Sequence, residues 1–282
     1  MPPQAPSSYY ATHGALTDPG RHGPALETFP RGVAALCRIV QGLLIHDSYG
    51  QHLYGPAPAD FHRASRETLP LSRRLDTILA ARDAPLTSPR PPFRRSIGTC
   101  RDFALMLCAL LREQEVPARV RCGFADYFDP GRYEDHWVCE YWKPAEGRWA
   151  LADAQLDEAH RAHLAIDFDG TDVPRARFLS AGQAWQSVRS GAADPARFGH
   201  GDDKGAWFIR VNLARDLLSL CKQEVSPWDG WRSARQQDRR LDQSAILQCD
   251  RIAALAEAAD GLAPPVPDEA ADGFLASPPW HG

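Results

Sequence analysis

A chain of 282 residues, 44% hydrophobic and 24% charged, can bury a sizeable core in one large domain or two modest ones. Its formal net charge of −4 gives no basic footprint for nucleic acid or an anionic membrane surface, and no apolar run reaches the roughly 18–20 residues that span a bilayer. The seven cysteines are scattered without a CxxC pair and the opening residues carry no secretion signal, so free thiols in a cytoplasmic, reducing compartment are expected.

Residues 1–24, rich in Pro, Ser, Gly and His, read as a flexible lead-in. From Leu26 to about Ile45 apolar residues recur at helical spacing, and a second helix over about Pro70–Ala81 places Leu71, Leu75, Ile78 and Leu79 on one face. The four prolines of Pro85–Ser96 deliver the chain in extended form to Gly98-Thr99-Cys100. A long apolar helix then runs from Cys100 to about Gln114, ended by Val116-Pro117. Ala118–Phe124 alternates as a strand. Asp126–Asp135 is a polar loop, and strands His136–Trp142 and Arg148–Asp153 flank the turn Lys143-Pro144-Ala145-Glu146-Gly147. The C-terminal half reads as helices over about Gln155–Leu164, Ser180–Ser190, Gly205–Lys222 and Ala234–Ala259, with a disordered tail. Strands grouped between helices indicate an α+β fold, with the cysteine helix packed on an antiparallel sheet and flanking N- and C-terminal helices. One domain over 25–232, with its core at about 70–155, is expected, followed by a helix and tail over 233–282.

Chemistry concentrates on three residues. Cys100 opens the apolar helix, where unpaired backbone N–H groups and the positive end of the helix dipole favour a thiolate. If Lys143–Glu146 is the hairpin loop, Trp142 pairs with Gly147 and His136 falls directly opposite Asp153. Directly opposed residues share a face, with Cβ atoms about 4.5–5.5 Å apart. Asp153 then orients His136, and His136 takes the Cys100 proton. The Cys100 N–H is a first oxyanion donor. Asp102, so near the thiol, opposes thiolate formation unless it is neutralised.

These residues resemble the transglutaminase-like superfamily of papain-type fold. The resemblance rests on Ile97-Gly98-Thr99-Cys100-Arg101-Asp102-Phe103-Ala104, Leu110-Leu111-Arg112, Val116-Pro117-Ala118-Arg119, Cys122-Gly123-Phe124, the Asp135-His136-Trp137-Val138-Cys139-Glu140 strand and the Arg148-Trp149-Ala150-Leu151-Ala152-Asp153 strand. It covers roughly 70–155. It implies a thiol active site with Cys100 as nucleophile, His136 as base and Asp153 as orienter. Family members include cross-linking transferases, cysteine peptidases, deglycosylating enzymes and inactive members, so amide hydrolysis and acyl transfer to an amine both stand.

Other residues carry weaker signals. Trp137 follows the base and is expected to wall the acyl-binding cleft, while Tyr141 and Trp149 fill core. His160 and His163, with Asp157 and Glu158, lack a third ligand block and read as exposed polar helix rather than a metal site. His46-Asp47 reads as the end of a helix. The remaining cysteines read as packing residues. No metal or organic cofactor is expected, and the partner is a peptide, protein or small amide. A non-catalytic interaction protein on the same fold is the alternative. A coenzyme A-dependent acetyl-transfer enzyme is a third reading, for which no basic cleft signature is visible.

Overall fold

The computed structural model describes residues 6, 8–61, 70–224, 239–258 and 262–266. The residues fall into two units: 1–120 with 138–173, and 121–137 with 174–282. This differs from the single domain expected over 25–232. The chain passes between the units three times, twice within a strand and once between Val173 and Pro174, a division that hydropathy along the sequence does not mark. The expected helix start at 234 and the tail beyond 266 lie outside the described residues.

The first unit contains α1 (Gly23–Leu26), α2 (Val33–Leu43), β1 (Leu44–His46), α3 (Gly50–Tyr54), α4 (Leu71–Ala81), β2 (Ser96–Gly98) and α5 (Cys100–Glu113). It also holds the start of β3 (Ala118–Ala125), the later part of β4 (Tyr133–Lys143), β5 (Arg148–Ala152) and α6 (Glu158–His163). In α2, Leu36, Cys37, Val40 and Leu43 form the buried stripe that helical periodicity requires, and the helix packs against α5. Every residue of α5 from Arg101 to Arg112 is buried, so apolar side chains surround the axis instead of lining one face. Three charged residues are carried inside with them. Arg112 donates to the Ala118 carbonyl at 2.9 Å and to the Thr17 hydroxyl at 3.0 Å.

The chain before α2 is not a loose lead-in. It makes 3-10 turns over Ser8–Ala11 and Gly20–His22. Tyr10 is fully buried, edge-on to Trp149 with ring centroids 5.6 Å apart. The Arg119 guanidinium lies 4.1 Å from the Trp149 ring centroid and pairs with the buried Glu140 at 2.6 Å. An aromatic anchor and a desolvated ion pair hold this segment, which its Pro- and Gly-rich composition conceals. The first helix ends at Leu43 instead of about Ile45, because the next three residues extend and pair in parallel with β2, His46 opposite Gly98.

The second unit contains β6 (Phe178–Ser180), α7 (Ala181–Arg189), β7 (Phe198–His200), β8 (Asp203–Lys204), α8 (Ala206–Leu220) and α9 (Gln243–Ala256), with the later part of β3 and the start of β4. Phe124, Trp185, Phe198, Phe208, Leu213, Leu217 and Ile252 meet in its core. Arg121 binds Asp216 with two parallel bonds, 2.9 and 2.8 Å, and reaches Glu257 at 2.8 Å, so one buried guanidinium joins β3 to α8 and the end of α9. The three short strands here were not expected in a half that reads as mainly helical. The pairing is not purely antiparallel either: β6 pairs antiparallel with β3, but β7 pairs parallel with the start of β4. Three-residue strands carry no period of their own, and their partners are more than 50 residues away.

Candidate active site

Gly98, Thr99 and Cys100 form the turn from β2 into α5. Thr99 is the N-cap and Cys100 the first helical residue, half-buried where the backbone N–H groups of the first turn point out of the helix. A capping box closes this end, in which the Asp102 carboxylate accepts from the Thr99 N–H at 2.8 Å and from its hydroxyl at 3.2 Å. The turn is tight. A Cβ on Gly98 would lie 3.0 Å from the Asp102 Cβ and 3.4 Å from Arg74 Nη1.

The acidic neighbour of the thiol is neutralised. Asp102 is fully desolvated, yet Oδ1 accepts from Arg101 at 2.8 Å and from Arg74 at 3.0 Å. Burial alone would raise its carboxyl pKa. The guanidinium groups of Arg101 and Arg74, with the two Thr99 donors, outweigh burial and hold it below the ordinary carboxylate value. Two cations around one anion leave a net positive charge beside the first turn of α5. Arg74 is fixed from the other side by the Ile97 carbonyl at 2.7 Å and the Ser96 hydroxyl at 3.1 Å, so α4 braces both β2 and the turn that carries Cys100. Arg74 is the residue that sequence reasoning missed. Its only signal is an arginine on an otherwise apolar helix face.

Asp153 follows β5 and is 3% exposed. Its N–H donates to the Gly170 carbonyl at 2.8 Å, and its Oδ1 accepts from the Gln155 N–H at 3.0 Å, a local turn that fixes the carboxylate. Gln155, also buried and also missed, carries an Oε1 with no hydrogen-bond partner among the described residues. The hairpin register differs from the expected one by two residues: Trp142 pairs with Trp149 and Lys143 with Arg148. Gly147 adopts a left-handed φ of 62° and donates to the Lys143 carbonyl at 2.9 Å, so it belongs to the loop and not to the strand. Pairing ends at Cys139 with Ala152, and one further step brings Asp153 beside Val138, not directly opposite His136. The offset is even, so the side-chain alternation along β4 is unchanged.

His136 lies in the second unit, 2% exposed, on the part of β4 that precedes Trp137. Phe128, Tyr127 and Phe178 surround its ring at centroid distances of 4.7, 5.9 and 6.5 Å. One residue earlier, Asp135 accepts from Asn212 Nδ2 at 2.8 Å, and the same amide donates to the Gly123 carbonyl at 3.2 Å. Both bonds tie β3 and β4 to α8.

Residues 49–154 match the family model of the Transglutaminase-like superfamily, a span that holds Cys100, His136 and Asp153. That span is similar to a transglutaminase-like domain. No curated protein matches the sequence. Among solved structures, a "putative cysteine protease" from Cytophaga hutchinsonii is similar at 19% identity and a TM-score of 0.33, over 52% of this chain and 41% of that one. A score of that size does not equate the two folds.

Trp137, expected to wall the acyl site, is 1% exposed and, as the next residue on the strand, faces away from the side His136 occupies. It fills interior, with Nε1 unpartnered among the described residues. Cys37, Cys108, Cys122, Cys139 and Cys249 are buried packing residues. Burial pushes the Cys37 thiol up to about 12, with Asp153 adding to the effect, and burial and a hydrogen bond to Cys108 raise Cys139 well above its ordinary value. His46 ends β1 rather than a helix, stacked 6.5 Å from Phe103, and the Asp47 N–H donates to the Gly98 carbonyl at 2.9 Å.

Nor is α6 an exposed polar helix. His160 is 2% exposed and held by Asp157, which caps the helix and accepts from the Tyr54 hydroxyl. Burial works against the Asp157 carboxylate, but the His160 and Tyr54 donors hold its pKa down to about 2. His163 meets His52 at 3.2 Å on the surface. Among the described residues no group of three or more His, Cys, Asp or Glu side chains could hold a metal ion, and no helix is long and apolar enough to cross a membrane.

Proposed function

We propose that this protein performs thiol-dependent acyl chemistry on an amide bond, with Cys100 as nucleophile, His136 as base and Asp153 as the group that orients the base. The observation that carries the reading is the setting of Cys100: first residue of a buried, capped helix in the transglutaminase-like span, with the adjacent carboxylate neutralised by Arg74 and Arg101. Helix N–H groups and net positive charge both favour the thiolate.

The thiolate attacks the amide carbonyl carbon, and the Cys100 N–H donates to the developing oxyanion. Protonated His136 gives its proton to the departing amine as the carbon–nitrogen bond breaks, leaving a thioester on Cys100. Water or a second amine, deprotonated by His136, then attacks the thioester. Water gives hydrolysis and an amine gives acyl transfer. The substrate is a peptide, a protein or a small amide.

The test uses iodoacetamide at neutral pH with the adduct located by mass. Cys100 and Cys221 are the two half-buried cysteines, the others being buried, so Cys221 serves as the internal control. Cys100 is expected to react well before Cys221 and to lose that advantage in His136→Ala. Equal labelling of both, or an advantage untouched by His136→Ala, would instead favour a non-catalytic interaction protein on the same fold. Offering an amide substrate with and without a primary amine then separates hydrolysis from transfer by the presence of the conjugate.

A further inference from the structure

An open groove of about 1010 Å³ lies within the first unit, on the side where Arg95 enters β2 and where Leu156 and Asp157 lead into α6. Three arginines line it, Arg38 from α2, Arg95 and Arg161. Two of them are fixed chiefly by neutral acceptors. Arg95 donates to the Arg90 carbonyl at 3.0 Å, and Arg161 to the Phe168 carbonyl at 2.7 Å. A carbonyl holds a guanidinium in place without cancelling its charge. Two acids face them. Asp157 is already engaged by Tyr54 and His160 and lies 3.7 Å from Arg95, while Glu158 is exposed at the rim. Arg38 is exposed and has no carboxylate partner among the described residues. The groove therefore carries net positive charge, in a chain whose formal net charge is −4.

We propose that this groove binds a carboxylate-bearing segment of a peptide, the acidic part of the acyl donor. The substrate assignment rests on the function proposed for Cys100. Both walls lead directly to candidate catalytic residues: Arg95 precedes Cys100 by five positions through β2, and Leu156 follows Asp153 by three. Five extended residues reach at most roughly 18 Å. An acidic side chain within about five residues of the scissile amide can thus sit in the groove while that amide reaches the thiol. Guanidinium forks match carboxylates in geometry, and pre-fixed ones lose little freedom on binding.

The experiment uses the full chain as Cys100→Ala, so that binding is read apart from turnover. The probe is a fluorescein-labelled peptide with three consecutive glutamates, followed by anisotropy, and its glutamine counterpart is the control. Saturable binding of the glutamate peptide, weakened by salt, is expected, with the glutamine peptide binding at least about tenfold more weakly. Arg38→Glu should weaken binding by about tenfold, whereas Arg31→Glu, an exposed site outside the groove, should leave it unchanged. Equal binding of both peptides, no binding, or indifference to Arg38→Glu overturns the proposal. Selective iodoacetamide labelling of Cys100 without peptide binding sinks the groove alone. Peptide binding without Cys100 selectivity keeps the groove as a binding site and sinks the acyl chemistry.

Discussion

Arg74, in the middle of α4, donates to Asp102, three residues into α5, at 3.0 Å with both side chains almost wholly buried. The same arginine holds the Ile97 carbonyl, so a single side chain connects α4, β2 and the turn that presents Cys100. Arg74→Met is expected to destabilise the fold by about 3 kcal/mol, the low end of the range for breaking a buried ion pair, because Arg101 still faces Asp102. Urea unfolding measures it. The pH dependence has a definite sign. The Asp102 carboxyl is depressed in the folded state, so its contribution is complete above the ordinary value of 3.8 and is lost as pH falls through the folded value. The acid transition of Arg74→Met should move to higher pH. An unchanged transition would mean that Arg74 does not support this carboxylate.

Gly98→Ala tests the closeness of the same turn. Its new Cβ would crowd the Asp102 Cβ at 3.0 Å and Oδ2 at 3.2 Å, both held by the ion pair. A loss of about 1–3 kcal/mol is expected, as for overpacking elsewhere. The rate of Cys100 alkylation should fall with it. Wild-type stability in the variant would show that the turn relaxes freely.

Asp157 links the Tyr54 hydroxyl to the first turn of α6. Its carboxyl is held at about 2, so its stabilisation is complete above the ordinary value of 3.8 and fades as pH falls from there to about 2. Asp157→Ala is expected to cost about 1–2 kcal/mol through the lost cap. Burial, followed by the hydrogen bond and charge of Asp157, raises the Tyr54 pKa. Asp157→Asn should therefore bring one tyrosine ionisation to lower pH, still above the ordinary value, as read by tyrosinate absorbance. Superimposable alkaline titrations of the two proteins would contradict the pairing.

Asn212, fully buried in α8, donates to Asp135 and to the Gly123 carbonyl. Asn212→Ala leaves those acceptors without their amide, with Arg215 still 3.8 Å from Asp135, and should cost about 1–3 kcal/mol. Asn212→Asp should be worse, because it sets a second carboxylate against Asp135. Thermal unfolding of the pair ranks them. Equal stability would rule out a role for the amide donor.

The longest elements were legible in the sequence because each carries its own period. Leu71, Leu75 and Ile78 mark α4, and the run after Cys100 marks α5, with Thr99 and Asp102 spelling its capping box. Tyr10 was not legible, because two adjacent tyrosines in a Pro- and Gly-rich stretch give no period and Trp149 lies far away in sequence. The short strands β1, β6 and β7 were missed for the same reason, each being defined by its partner. The hairpin was legible in outline and displaced by two residues in register, since composition marks Lys143–Gly147 as a turn without deciding whether Gly147 lies in the loop or the strand.

The sequence by itself determined the α+β class, the place of Cys100 at a helix start and the order in which Cys100, His136 and Asp153 follow. Spacing and local capping are properties of neighbouring residues, and neighbours are what a sequence records. Only the tertiary structure decided that Asp102 is neutralised, that Trp137 is interior and that Arg38, Arg95 and Arg161 share one groove. Charge compensation and desolvation depend on groups brought together from distant positions. Asp102, three residues from Thr99, would oppose a thiolate if read alone, until Arg74 folds against it from 28 positions upstream.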